Sequence, residues 1–97
     1  MVQTMQAISG AGYPGVSSLN IIDNVVPYIA DEEEKMESEL LKILSTWTSK
    51  TWNEPESLSI SASCNRVNVI DGHTLNVSVE FETTEKPSLD DIFNTFG

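Results

Sequence analysis

The sequence predicts an α+β fold: a mixed, partly antiparallel sheet covered by helices. Two observations carry this reading. Apolar residues alternate with polar ones over 58–66 and again over 75–82, the period of a strand with one buried face. Between and after such runs, 31–46 and the segment from Ser88 repeat apolar residues at helical spacing. One chain of 97 residues accommodates both patterns in one domain.

Residues 2–8, VQTMQAI, have strand composition, and Ser9-Gly10-Ala11-Gly12 then breaks the run. Tyr13-Pro14-Gly15 continues the turn, with glycines available for positive φ. Asp31 followed by Glu34 reads as a capping box, and Met36, Leu40, Ile43, Leu44 and Trp47 form one stripe, so a helix is expected from about 31 to 46. The acids 31–34 crowd its first turn, where the helix dipole favours negative charge. The polar stretch STWTSKTWNEPES reads as a loop. Leu58, Ile60, Ala62, Cys64 and Arg66 then share one strand face, Asp71-Gly72 marks a turn, and a return strand presents Leu75, Val77, Val79 and Phe81 on one side. A sheet with one covered and one polar face follows. Ser88 as N-cap and Asp91 three residues on begin a last helix with Leu89, Ile92, Phe93 and Phe96 as its stripe, still unfinished at Gly97.

Composition excludes several functions. Fifteen acidic against five basic side chains give a net charge of −10, which supplies no surface for phosphate backbones or anionic lipid. No apolar run reaches membrane-spanning length, and the amino terminus has no signal-peptide pattern. The single cysteine forms no internal disulfide and belongs to no Cys/His cluster, so no metal site is expected and a reducing, cytoplasmic compartment is. Cys64 shares its strand face with Leu58, Ile60 and Ala62, which makes it a small buried hydrophobe rather than a nucleophile.

The chemistry concentrates in NRVNVIDGHT, 65–74, which holds the only arginine and the only histidine. An arginine at a strand end binds a carboxylate in bidentate fashion, and a histidine beyond the turn exchanges protons near neutral pH. By spacing alone, Arg66 and His73 are either two parts of one cavity or two polar residues of a surface turn.

Three separated segments, TMQAISGAGYPGVSSLNIIDNVVPYI, EEEKME and SASCNRVNVIDGHT, together resemble the aspartate-semialdehyde dehydrogenases, most closely the fungal and archaeal branch. The resemblance implies part of a catalytic and dimerisation domain of the glyceraldehyde-3-phosphate-dehydrogenase-like kind, spanning 1–97. It implies an NADP-dependent reduction of L-aspartyl 4-phosphate to the semialdehyde, in the biosynthesis of lysine, threonine, methionine and isoleucine. By the same resemblance His73 is the acid/base residue, Gln6 lies beside the reacting carbonyl, and Arg66 holds the substrate carboxylate. Glu32 and Lys35 meet the substrate's amine and phosphate, and Ser9 and Gly10 approach the nicotinamide end of NADP. A homodimer or higher homo-oligomer is implied as well.

The family's nucleophilic cysteine and its nucleotide-binding half lie in other segments. SGAGYPG follows no βαβ unit and is no dinucleotide fingerprint. The chain is therefore expected to be a partial domain, inactive alone. The alternative is a non-catalytic dimerisation module of the same descent, and a reductase of another acyl phosphate is a third. Asn20, Asn68, Leu75 and STWTSKTW depart from the family's usual pattern.

Overall fold

The computed structural model describes residues 1–82 and 86–97. Five-residue strand β1 (Val2–Gln6) leads into a 3₁₀ turn over Ile8–Ala11. A short helix α1 (Ser18–Ile21) and the dipeptide strand β2 (Val25–Val26) come next, followed by helix α2 (Glu32–Ile43). Strands β3 (Thr46–Thr48) and β4 (Thr51–Asn53) form a separate hairpin. Strands β5 (Ala62–Val67) and β6 (Thr74–Val77) complete the main sheet, and α3 (Leu89–Phe96) ends the chain.

The main sheet has the order β2-β5-β1-β6. β1 runs parallel to β5 and antiparallel to β6, and β2 is antiparallel to β5. The sheet is thus mixed, and the expected α+β class holds. In the parallel pair Val2 lies beside Ala62, Thr4 beside Cys64 and Gln6 beside Arg66. Side chains in register on neighbouring strands share a face, so one row changes from apolar to polar along the strands. Thr4 and Cys64 sit at its centre, almost wholly buried, and Gln6 and Arg66 close it at 8% and 6% exposure.

Five expectations are corrected. The stretch expected as a loop after α2 is a hairpin: β-branched and aromatic residues on both sides of Ser49-Lys50 pair as strands, and Trp47 stacks across on Trp52 with centroids 5.0 Å apart. Trp47 therefore belongs to the hairpin, and α2 stops at Ile43. The capping box at Asp31 does not form; Asp31 has φ 66° and its side chain caps nothing. Pairing in β5 begins at Ala62, leaving Leu58 and Ile60 ahead of the strand. The return strand ends at Val77, and its apolar side is open: Leu75, Val77, Val79 and Phe81 are all exposed.

The last helix matches its sequence signature. Ser88 Oγ accepts from the Asp91 N–H at 3.1 Å, and the Asp91 carboxylate accepts from the Ser88 N–H at 3.1 Å. The Ser88 side chain and backbone hold the Asp91 carboxyl below its usual 3.8. Its apolar stripe nevertheless faces solvent, with Phe93 and Phe96 exposed. Gly12 and Gly15 take φ 66° and 83°, the conformations that the turn after β1 requires.

Burial of Cys64 makes a direct prediction. A water-soluble disulfide reagent is expected to label it only as fast as the chain opens, so added denaturant accelerates labelling in step with unfolding. Rapid labelling of the native chain contradicts this packing.

Candidate functional site

Beyond Gln6 the chain leaves the sheet, but its backbone keeps pairing. The Ile8 N–H donates to the Val69 carbonyl at 2.8 Å and the Ser9 N–H to the Ile70 carbonyl at 3.1 Å. Ser9 Oγ donates to Asp71 Oδ1 at 3.0 Å. These bonds lay the 3₁₀ turn after β1 against the turn after β5. They bring Asp71-Gly72-His73 over Ala7, and Gly72 at φ 90° allows the reversal.

Ala7, fully buried, is where the two chemical residues meet. Its N–H donates to His73 Nδ1 at 2.9 Å, and its carbonyl accepts from the Arg66 Nη1 at 2.8 Å. Gly10 packs against both. A Cβ there would stand 2.9 Å from Arg66 Nη1, which would have to shift, and 3.1 Å from His73 Cε1, which would have to give by a few tenths of an ångström. Arg66 and His73 thus share one site and are not separate residues of a surface turn.

The contacts define each group's capacity. His73 Nδ1 accepts a hydrogen bond, so the neutral ring carries its proton on Nε2, next to Gly10. The ring is exposed and able to meet a ligand. Arg66 is buried but spends one donor on Ala7; its planar fork has others, suited to a carboxylate. A guanidinium taken out of water is costly to leave without partners, and the Ala7 carbonyl supplies one.

Gln6 extends the cluster towards α2. Its Nε2 donates to Thr4 Oγ1 and to Glu32 Oε2, each at 3.3 Å. Glu32 is thereby joined to the site through a residue that lies beside Arg66 in the sheet. Lys35 follows three residues later, on the same side of the helix, and its exposed side chain makes no bond among the described residues. Ser9 and Gly10 are exposed in the turn, Ser9 tied to Asp71 and Gly10 against Arg66 and His73. Ala7 carries no signal in the sequence, because a backbone anchor has no side-chain signature, and Asp71 reads there only as a turn residue although its carboxylate holds Ser9. An open groove of about 420 Å³, lined by Met1, Val2, Leu40, Leu58, Ile60 and Val77 among others, lies at the opposite end of β1 and touches none of these residues.

A mixed sheet gathers a guanidinium, an imidazole and a carboxylate at the carboxyl ends of its parallel pair. Residues 1–97 match the family described as "Semialdehyde dehydrogenase, dimerisation domain", and the chain belongs to that family. Aspartate-semialdehyde dehydrogenase of Cryptococcus neoformans is 53% identical over 100 residues, covering 99% of this chain and 27% of the relative. The enzyme of that name from Archaeoglobus fulgidus is 56% identical over 81 residues, covering 84% of the chain and 23% of the relative. The crystal structure of aspartate semialdehyde dehydrogenase with NADP from Candida albicans superposes with a TM-score of 0.82 at 45% identity, over 96% of this chain and 26% of that one. The chain spans about a quarter of the length of these relatives.

Replacing Gly10 by alanine is expected to drive the Arg66 guanidinium and the His73 ring apart. Overpacking of this kind costs about 1–3 kcal/mol, read as a lower unfolding midpoint, and it shifts the His73 Cε1–H signal in NMR spectra. An unmoved signal means that the ring does not pack on Gly10.

Proposed function

We propose that this chain is the substrate-binding and proton-transfer part of an NADP-dependent aspartate-semialdehyde dehydrogenase, which reduces L-aspartyl 4-phosphate to L-aspartate 4-semialdehyde in amino-acid biosynthesis. The observation that carries the reading is the pair of hydrogen bonds by which the Ala7 peptides hold His73 and Arg66 together. Arg66 grips the substrate's α-carboxylate in bidentate fashion. Glu32, already accepting from the Gln6 amide, takes the substrate's ammonium, and Gln6 lies beside the carbonyl that reacts. Lys35, on the same side of α2 as Glu32, reaches towards the phosphate.

His73 is the acid/base residue. Its Nε2 faces the Gly10 turn, and there it exchanges a proton with the thiol nucleophile and with the oxygen of the adduct that the thiol forms. The thiol is not Cys64, which is buried and whose peptide N–H is bonded to Glu33. The exposed, small-side-chain turn at Ser9 and Gly10 fits the nicotinamide end of NADP and no more of it, since the turn holds no basic group for the phosphates. NADPH, when bound, supplies the hydride. Without an accessible thiol or a dinucleotide site, these 97 residues do not turn over substrate by themselves.

The open apolar side of β6 and the exposed stripe of α3 support a homo-oligomer, the same surface meeting its copy across a two-fold axis. The acidic charge makes nucleic acid or anionic membrane an unsuitable partner, and no helix among the described residues is long and apolar enough to cross a membrane. Cytoplasmic action accords with the single reduced cysteine.

The test is a chimera in which this chain replaces the matching quarter of the Cryptococcus neoformans enzyme. It is expected to reduce NADP in the presence of aspartate semialdehyde and phosphate, whereas the chain alone does not. In the chimera Arg66→Lys should lower kcat/KM about 100-fold, as loss of a bidentate, charge-assisted pair entails. His73→Asn should lower kcat by about 10²–10⁴-fold. An active chimera indifferent to both changes overturns the reading. Separately, Val77→Asp is expected to shift the sedimenting species from dimer towards monomer with the fold retained; an unaltered dimer removes the β6 face as the interface.

A further inference from the structure

The edge of β5 poses a question of its own. β2 pairs with this strand only at Arg66 and Val67, so in its first half the outward amides, those of Ala62 and Cys64, have no strand beside them among the described residues. An open strand edge invites pairing with a foreign strand, and buried amides are costly to leave unbonded. Here they are taken by side chains of α2. Glu37 Oε1 accepts from the Ala62 N–H at 2.8 Å, and Glu33 Oε1 accepts from the Cys64 N–H at 2.9 Å.

The match is geometric. Residues four apart on a helix rise by about 6 Å, and the outward amides of a strand, two residues apart, are separated by about 6.6 Å. Two glutamates at i and i+4 therefore reach successive outward amides, with helix and strand running in opposite directions. α2 buries none of its own residues fully, so apolar packing alone fixes its position weakly. Charge-assisted bonds to backbone amides are short, directional and about twice as strong as neutral ones. They fix both the distance of α2 from the sheet and its rotation about its axis.

That rotation matters because Glu32 adjoins Glu33. With Glu33 bound to the Cys64 amide, the preceding residue is presented to Gln6, where Glu32 Oε2 receives the amide of a side chain beside Arg66. We infer that Glu33 and Glu37 are positioning residues: they clamp α2 to the free edge of β5 and so set Glu32 at the substrate-binding cluster. The inference about Glu32 rests on the role proposed for it above, whereas the clamp itself does not.

The experiment uses the complete chimeric enzyme, labelled with ¹⁵N at alanine and cysteine, and follows amide exchange together with kinetics. Glu33→Ala should speed exchange at Cys64 and leave Ala62 protected, and Glu37→Ala should do the reverse. Glu33→Gln, whose carbonyl oxygen still accepts, should keep most of the protection, which separates a lost bond from misfolding. Glu33→Ala should also raise KM for aspartate semialdehyde about tenfold with a smaller change in kcat, and Glu33→Gln should recover most of it. Wild-type exchange at both amides in the alanine variants overturns the clamp. An exposed Cys64 amide with an unchanged KM overturns its positioning role. Glu32→Ala is the control for the underlying reading: an unchanged KM there refutes the role of Glu32, while the exchange data judge the clamp independently.

Discussion

The arrangement depends on the two peptide groups flanking the Cα of Ala7. One gives its N–H to His73 and the other gives its carbonyl to Arg66, so residues seven apart in the chain are held by a single buried alanine. Backbone groups are good anchors because they have no rotamers to lose. Their own position is fixed by the parallel pairing of β1 with β5 on one side and by the bonds to Val69 and Ile70 on the other. Any change that slips β1 against β5 by one residue turns the Thr4 and Gln6 side chains to the opposite face and breaks the cluster.

The row of residues along β1 and β5 shows how the sheet serves packing and chemistry at once. Val2 and Ala62 begin it as ordinary apolar neighbours, Thr4 and Cys64 fill its densest point, and Gln6 and Arg66 end it. Burying Gln6 and Arg66 costs free energy that only hydrogen bonds offset, and each has a partner in the chain. The guanidinium is bonded to a neutral carbonyl, a weaker partner than a carboxylate would be.

What the sequence disclosed follows from where the physics is local. The α3 capping box is a matter of four adjacent residues, and the glycines after β1 declare their turn whatever surrounds them. Arg66 and His73 stand out as the only residues of their kind, yet their spacing leaves both a site and a surface turn open, and the choice depends on resemblance. The Ala7 anchor was invisible because any residue has the same backbone groups. The hairpin was misread because Thr, Ser, Lys and Asn mask its strand character, which the cross-strand pairing of Trp47 with Trp52 supplies. At Asp31 the S/T/D-x-x-E pattern was present, but φ 66° takes the residue out of the extended conformation that an N-cap needs. In the return strand, alternation marks which side is apolar but not how far pairing runs: the ladder with β1 extends through Val77, and Met1 and Ser78 exchange backbone bonds just beyond it.

The two borders of the main sheet are finished in opposite ways. On the β5 side, the outward amides of Ala62 and Cys64 meet the carboxylates of α2, a polar seal over the part of the strand that β2 does not reach. On the β6 side, Leu75 and Val77 continue the face that carries Val2 and Thr4 but are left exposed. A surface of this kind is poorly suited to solvent and well suited to a like surface, since apolar packing is indifferent to the sign of charge. That indifference matters for a chain of net charge −10, whose copies repel one another at long range. Apolar area brought together at the open border must outweigh that repulsion, whereas acidic groups at the interface would add to it. Glu33 and Glu37 thus lie at the sealed border, and Leu75 and Val77 are left exposed at the open one.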